Sequence, residues 1–161
     1  MIRLKTAVLL AASLKIGARL GGTSVEDADR LYDFGMHIGV AFQLKDDLLD
    51  VYGNAKVFGK NIGGDILCNK KTYMLIKALE HANADQHNQL NSWINAETFQ
   101  PAEKIAAVTE LYDRIGVKAV CENKILEYSN RAMESLAAVS IAEEKKEELK
   151  KIIENLIHRE V

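Results

Sequence analysis

The near absence of proline is the feature that most limits what this chain can fold into. Pro101 is the single proline in 161 residues. Signals for β-hairpins are missing and β-branched runs are short, so long stretches of the chain can run as uninterrupted helix. Glycine pairs and capping residues then divide the chain into successive helices. The sequence therefore predicts an all-α fold, a helical bundle.

Seven helices are expected from the periodic apolar pattern and its breaks. The first ends at Gly21-Gly22, Ser24 caps the second with Asp27 as a capping-box variant, and Pro101 fits the first turn of the fifth. The expected bounds are about Ile2–Leu20, Ser24–Tyr52, Asp65–Ala82, Asp85–Asn95, Gln100–Arg114, Val117–Ala138 and Ala142–Arg159. No linker or repeat interrupts the chain, so no domain boundary is expected within residues 1–161.

Several side chains can be placed from the pattern alone. Gly35 and Gly39 are expected to let helices pack closely. The charged run at residues 143–148 is expected to be a solvated face with i,i+4 ion pairs. The expected core includes the aromatic and aliphatic residues Trp93, Ile94, Tyr112, Tyr128, Leu149, Ile152, Ile153, Leu156 and Ile157.

Composition excludes some classes of partner and location. The net charge of −2 offers no basic surface for nucleic acid. Cys68 and Cys121 match no zinc spacing, and two distant cysteines are typical of a reduced, cytoplasmic protein. The apolar run Ala7–Ala12 is flanked by charged residues and is too short to cross a bilayer, so neither a signal peptide nor a transmembrane segment is expected.

A stripe of acidic residues marks the second expected helix. Asp46, Asp47 and Asp50 fall on one side of it, with Gln43 one turn before them, while the flanking residues are apolar. Carboxylates this close repel each other unless a cation neutralises them, and a hard divalent cation takes oxygen ligands. The pattern favours a Mg²⁺ site, and the alternative is an acidic face exposed to solvent.

A glycine-rich loop and several lysines follow this stripe. Gly59–Asp65 carries Lys60 among three glycines, and Asn69–Tyr73 carries two more lysines near the start of the next helix. Glycines let the backbone approach a ligand closely, and lysine is a compact charge suited to phosphate oxygens. Magnesium is usually held by one or two carboxylates together with waters and substrate phosphates. The set therefore predicts one composite site for a Mg²⁺-diphosphate.

These motifs resemble those of a known family, the trans-type polyprenyl diphosphate synthases. The run Phe42–Asp50 is similar to that family's second aspartate-rich motif, FQxxDDxxD. Gly59–Asp65 is similar to its GKxxGxD motif, and Lys70–Tyr73 follows in the same order and spacing. Lys5-Thr6 resembles its KT motif on the preceding helix. The resemblance implies a helical bundle that forms the C-terminal half of the isoprenoid synthase fold.

The chain departs from the family pattern in its length. That family is about twice as long, and it carries a first DDxxD motif and an isopentenyl diphosphate site upstream of the KT motif. Neither is found before Lys5. The expectation is a C-terminal half that is inactive alone and exposes apolar surface, with a homodimer expected of the full-length protein.

The resemblance implies Mg²⁺-dependent condensation of isopentenyl diphosphate with an allylic prenyl diphosphate. Asp46 would be a direct Mg²⁺ ligand, with Asp47, Asp50 and Asp65 acting nearby, directly or through water. Charge that grows on the leaving diphosphate must be neutralised, and water must be kept from the allylic cation.

The substrate contacts are implied in the same way. Lys5, Lys60 and Lys70 would bind the allylic diphosphate. Thr6 and Gln43 would lie beside the reacting carbons, and Phe42 would line the pocket for the prenyl tail.

Two further functions fit the same residues. The chain could be a non-catalytic diphosphate-binding or regulatory subunit of a prenyl synthase complex. A terpene cyclase shares the helical fold, although its second metal motif usually has an Asn/Ser/Glu pattern. The intact Asp46, Asp47, Asp50 and Lys60 favour the synthase, because a scaffold has no use for an interior charged cluster.

Overall fold

A computed structural model describes residues 1–53 and 62–157, and eight α-helices account for most of these residues. The helices are α1 Val8–Leu20, α2 Val25–Tyr52, α3 Gly64–Leu67, α4 Tyr73–His81, α5 Ala84–Asn95, α6 Pro101–Ile115, α7 Val117–Ala137 and α8 Glu147–Ile157. A π-helical turn at Arg3–Ala7 precedes α1, and a 3-10 turn at Glu143–Lys145 precedes α8. The described ranges contain no strand, and the all-α prediction is confirmed. None of their helices is long and apolar enough to cross a membrane.

The helix ends follow the capping residues of the sequence. Ser24 caps α2 as predicted, because its hydroxyl accepts the Asp27 N–H at 3.1 Å. The Asp27 carboxylate accepts the Ser140 N–H at 3.0 Å, which ties α2 to the segment after α7. Pro101 opens α6, and Gly116 ends it with a left-handed φ of 82°.

The predicted third helix, Asp65–Ala82, is wrong as a single element. It is divided into α3 and α4, and the connecting residues include Asn69 at a positive φ of 49°. Thr72 then begins a new helix, since its side chain accepts the Leu75 N–H at 3.2 Å. The last helix also begins later than predicted, at Glu147, because the 3-10 turn comes first.

The described residues form two compact units. The first contains residues 1–45 and 124–157, and the second contains residues 46–53 and 62–123. In the first unit, a Cβ added at Gly35 would lie 2.6 Å from Ala11 Cα, and one at Gly39 would lie 2.6 Å from Ala7 Cα. The prediction that Gly35 and Gly39 allow close helix packing is therefore confirmed.

Residues 143–148 and α8 close the first unit. Ile153 and Leu156 are buried as predicted, Leu149 is half-buried, and Ile152 is 50% exposed. The prediction of a fully solvated charged run is wrong at Lys146, which is 2% exposed. Its Nζ donates to Ala137 O at 3.0 Å and to Glu143 at 2.8 Å, so it binds the carboxyl end of α7. The ion pairs of this run are at i,i+3 spacing or longer.

The core of the second unit takes buried residues from the end of α2, from α3 to α6 and from the start of α7. Tyr112 is 2% exposed, which confirms its predicted burial, and Leu90 of α5 is fully buried. Trp93 and Ile94 are only half-buried, because Leu90 takes the core position of that helix. Tyr128, predicted in the core, is half-buried in the first unit, where it lies beside His37.

Candidate functional site

The carboxyl-terminal end of α2 places carboxylates among buried apolar residues. Asp47 is 5% exposed, and Asp46 and Asp50 are half-buried. Their neighbours Leu48 and Leu49 are 4% and 7% exposed, so the helix is buried around the aspartates. Aspartates are rarely this buried without a partner, and these are not an exposed acidic face.

Lys70 joins two of the predicted site residues. Its Nζ lies 3.2 Å from the Asp47 carboxylate and 2.6 Å from the Asp65 carboxylate. Burial acts to lower the pKa of Lys70, but the hydrogen bond to Asp65 and the charge of Asp47 outweigh it and raise this pKa. The structure thus brings Asp47, Asp65 and Lys70 together in the second unit, as the sequence predicts.

Asp50 connects the aspartate helix to α3. Its carboxylate accepts the Asp65 N–H at 2.9 Å, and its backbone carbonyl accepts the Gly63 N–H at 2.6 Å. Burial and the nearby Asp65 carboxylate raise the pKa of Asp50, against the hydrogen bond from the Asp65 amide. These bonds hold Asp65 beside the aspartates of α2.

Gly63 is required by this geometry. It adopts a left-handed φ of 84°, and an added Cβ would lie 2.7 Å from the Ile105 side chain. Only glycine adopts this conformation without strain and avoids the contact. At Gly63, the glycine of the motif is therefore required by the backbone conformation and by the contact with Ile105.

The donor set fits Mg²⁺ in the way the sequence suggests. Within the described ranges, no three His, Cys, Asp or Glu side chains lie close enough to hold a metal ion by themselves. Mg²⁺ does not need such a cage, since it combines one or two carboxylates with waters and phosphate oxygens. Asp47 and Asp65, the two carboxylates that contact the Lys70 ammonium, supply oxygen atoms of the kind that Mg²⁺ takes as ligands.

Two of the predicted substrate residues, Thr6 and Phe42, line an apolar cavity of the first unit. This cavity has a volume of about 550 Å³ and is lined by Thr6, Leu10, Phe42, Ile152 and Leu156, among others. The Phe42 ring is 42% exposed there. Such a concave apolar site is typical of a pocket for a hydrophobic ligand.

Thr6 and Gln43 meet beside this cavity, with the Thr6 hydroxyl 2.7 Å from Gln43 Oε1. Lys5 is exposed on the π-helical turn. Lys60 lies outside the described residues.

Two residues near Lys70 were not predicted from the sequence. Lys104 is 1% exposed, and its Nζ donates a 2.8 Å hydrogen bond to Asn69 Oδ1. Both line a small cavity of about 20 Å³, with Asp47, Asp65 and Lys70. That volume is about the size of one water molecule. The only signal in the sequence is Asn69, since asparagine tolerates left-handed backbone.

Comparison with known proteins places the chain among sequences of one family. The sequence model of the family described as polyprenyl synthetase matches residues 1–112. The chain is 34% identical to a short chain isoprenyl diphosphate synthase of Methanothermobacter thermautotrophicus, over 99% of this chain and 48% of that protein. It is 30% identical to a (2E,6E)-farnesyl diphosphate synthase of Mycobacterium tuberculosis, over 97% of this chain and 44% of that protein. The chain spans about half the length of the curated relatives it matches.

Solved structures show the same likeness. A geranylgeranyl pyrophosphate synthase superposes with a TM-score of 0.91 and 34% identity, over 99% of this chain and 50% of that one. The geranylgeranyl pyrophosphate synthase of Corynebacterium glutamicum, in complex with isoprenyl diphosphate and magnesium, gives a TM-score of 0.86 and 32% identity, over 98% and 44% of the two chains. The all-α architecture is therefore the isoprenoid synthase fold.

Proposed function

This chain belongs to the polyprenyl synthetase family, and from that premise we propose that it is part of a Mg²⁺-dependent prenyltransferase. The reaction proposed is the condensation of isopentenyl diphosphate with an allylic prenyl diphosphate. The relatives named as isoprenyl and farnesyl diphosphate synthases support this substrate class. The magnesium and isoprenyl diphosphate bound to the Corynebacterium glutamicum enzyme support the metal and the ligand.

The observation that carries the proposal is the ion pair of Lys70 with Asp47 and Asp65. Their carboxylates lie 3.2 Å and 2.6 Å from Lys70 Nζ, and Asp47 is 5% exposed. A charged group buried among apolar residues is costly unless it is paired. A site that separates a diphosphate from a carbocation needs both signs of charge in dry surroundings.

The carboxylates are assigned to the metal. Asp46, Asp47, Asp50 and Asp65 would hold Mg²⁺, directly or through water, and Mg²⁺ would neutralise charge on the leaving diphosphate. Asp50 also orders the backbone of Asp65, through the 2.9 Å hydrogen bond that its carboxylate accepts. The donor atoms are all oxygen, as a hard cation requires.

The remaining site residues are assigned to the two substrates. Lys5, Lys60 and Lys70 would bind the oxygens of the allylic diphosphate. Thr6 and Gln43 would lie beside the reacting carbons, and Phe42 would contact the prenyl tail. The apolar walls at Leu10, Ile152 and Leu156 would exclude the water that quenches an allylic cation. We also propose that the active protein is a cytoplasmic homodimer, as the resemblance implies.

The test is binding of inorganic diphosphate to the chain, with and without Mg²⁺, measured by calorimetry. Wild-type protein is expected to bind only when Mg²⁺ is present. Asp46→Asn removes one carboxylate and is expected to abolish this binding. Asp85→Asn, an equal charge change on the exposed first turn of α5, is the control and is expected to bind like wild type. Binding by Asp46→Asn at wild-type affinity would refute the site assignment.

A further inference from the structure

Lys104 is buried in a manner that its sequence context does not explain. It lies on α6 three residues after Pro101, is 1% exposed, and places its Nζ 4.2 Å from the centroid of the Phe99 ring. Burying an ammonium group is costly without hydrogen bonds. Its Nζ donates to Asn69 Oδ1 at 2.8 Å, so this bond offsets part of the cost.

Asn69 is held at both ends of its side chain. Its Oδ1 accepts from Lys104 on α6, and its Nδ2 donates to Ile94 O on α5 at 2.9 Å. Its backbone has a φ of 49°, a left-handed conformation that asparagine tolerates better than most residues but still adopts at a cost. The two hydrogen bonds therefore fix a residue whose backbone would otherwise favour another conformation.

The residue that follows is Lys70. Its backbone N–H donates to Asp65 O at 2.9 Å, and its carbonyl accepts the Thr72 N–H at 2.7 Å. These bonds form the turn between α3 and α4, which we name the Lys70 turn and define as residues 68–72. The direction in which Lys70 leaves the backbone depends on the conformation at Asn69. Its Nζ reaches both Asp47 and Asp65 from that position.

We propose that Lys104 and Asn69 are positioning residues that hold the Lys70 turn, so that the Lys70 ammonium is preorganised for the diphosphate. The proposal rests on the proposed function, in which Lys70 binds that group. Neither residue touches the ligand, and Lys104 acts through Asn69. Preorganisation helps because the cost of ordering Lys70 is met on folding and not on binding.

The first measurement is amide hydrogen exchange of the ligand-free chain, residue by residue. Asn69→Gly tolerates the left-handed backbone but removes both side-chain hydrogen bonds. It is expected to speed exchange at the Lys70 and Thr72 amides by about fivefold or more, the effect of one lost hydrogen bond. The Ala78 and Leu111 amides of the core are expected to keep their wild-type rates. A Lys70 turn protected as in wild type would overturn the proposal.

Lys104→Met, alone and combined with Asn69→Gly, completes a double-mutant cycle. Alone it is expected to speed exchange in the Lys70 turn like Asn69→Gly, and in the double variant it is expected to add nothing. If Lys104→Met speeds exchange in the Lys70 turn equally in wild type and in Asn69→Gly, Lys104 does not act through Asn69 and only fills the core. This result would overturn the proposal. If Lys104→Met does not fold, Asn69→Gly decides alone.

The second measurement is binding of inorganic diphosphate with Mg²⁺. Asn69→Gly is expected to weaken it about fivefold. Lys77→Met, which removes the ion pair with Glu80 on α4 and leaves the Lys70 turn unchanged, is the control and is expected to bind like wild type. Unchanged affinity in Asn69→Gly, when wild type does bind, would overturn the positioning role. Absence of binding in wild type would refute the proposed function, while hydrogen exchange still decides whether Lys104 and Asn69 hold the turn.

Discussion

The Thr6 hydroxyl donates a 2.7 Å hydrogen bond to Gln43 Oε1, across 37 positions of sequence. Thr6→Val keeps the shape of the side chain but removes the donor, and it leaves a half-buried oxygen without this bond. We predict a loss of about 1 kcal/mol in the free energy of unfolding, measured by urea titration. Thr6→Ser keeps the hydroxyl and is expected to lose less. A Thr6→Val protein as stable as wild type would contradict the prediction.

Replacement of glycine by alanine is predicted to have opposite effects on stability at Gly39 and at Gly17. An added Cβ at Gly39 would lie 2.6 Å from Ala7 Cα, so Gly39→Ala must push the π-helical turn Arg3–Ala7 away from α2 and is expected to destabilise by about 1–3 kcal/mol. Gly17 on α1 has open space, so Gly17→Ala is expected to stabilise by about 0.5–1 kcal/mol through the unfolded state. Both values are read from thermal unfolding. Equal effects at the two positions would exclude the close packing.

Glu143 makes stability depend on pH. Hydrogen bonds from Lys146 and then Lys150 lower the pKa of Glu143 from 4.5 to about 2. The folded carboxylate stays ionised after the unfolded one is protonated, so its contribution is complete above pH 4.5 and is lost as pH falls toward 2. Glu143→Gln is expected to be less stable than wild type at pH 7, and the difference is expected to shrink across this window. Stability is measured by urea unfolding at a series of pH values.

Glu148→Gln is the matched control for this series. It removes the same charge from an exposed ion pair with Lys151. Exposed pairs of this kind contribute little, so its stability is expected to stay close to that of wild type. If Glu148→Gln loses as much stability relative to wild type as Glu143→Gln does, the effect comes from the change in net charge and not from the pKa of Glu143.

An apolar face of α1 predicts self-association. Leu9, Ile16 and Leu20 share one side of this helix and are 76%, 59% and 84% exposed. Sedimentation velocity is expected to show species larger than the monomer, and Leu9→Glu with Leu20→Glu is expected to reduce them. Leu126→Glu, at a 46% exposed position of α7, is the control. A wild-type chain that sediments as a monomer at all concentrations would refute the prediction.

The sequence was sufficient to predict the fold class and to assign the charged motifs to one candidate site. A single proline and a periodic apolar pattern require helices, and Asp47 and Lys70 could be assigned to one site from their order and spacing. The 3.2 Å approach of these two residues agrees with that assignment. The two glycines of α2 were also placed correctly, since small residues at helical spacing indicate close packing.

Features that depend on contacts distant in sequence were missed. Lys146 and Lys104 look solvated in their local context, because local pattern does not show which lysine meets a carbonyl or an amide when the chain folds. The break at Asn69 was missed for a similar reason. Lysine and threonine continue a helical pattern well enough, and side-chain hydrogen bonds from Lys104 and to Ile94 accompany the left-handed turn.

The burial of Lys104 and Lys146 gives each compact unit a chemical reporter of its own folding. Lys104 belongs to the second unit and Lys146 to the first, and they are 1% and 2% exposed. An amine-acylating reagent should therefore modify exposed lysines such as Lys5 at once, and these two only when their own unit opens. Mass spectrometry of the peptides that contain them, after brief acylation at increasing urea, would yield two separate unfolding curves from one sample.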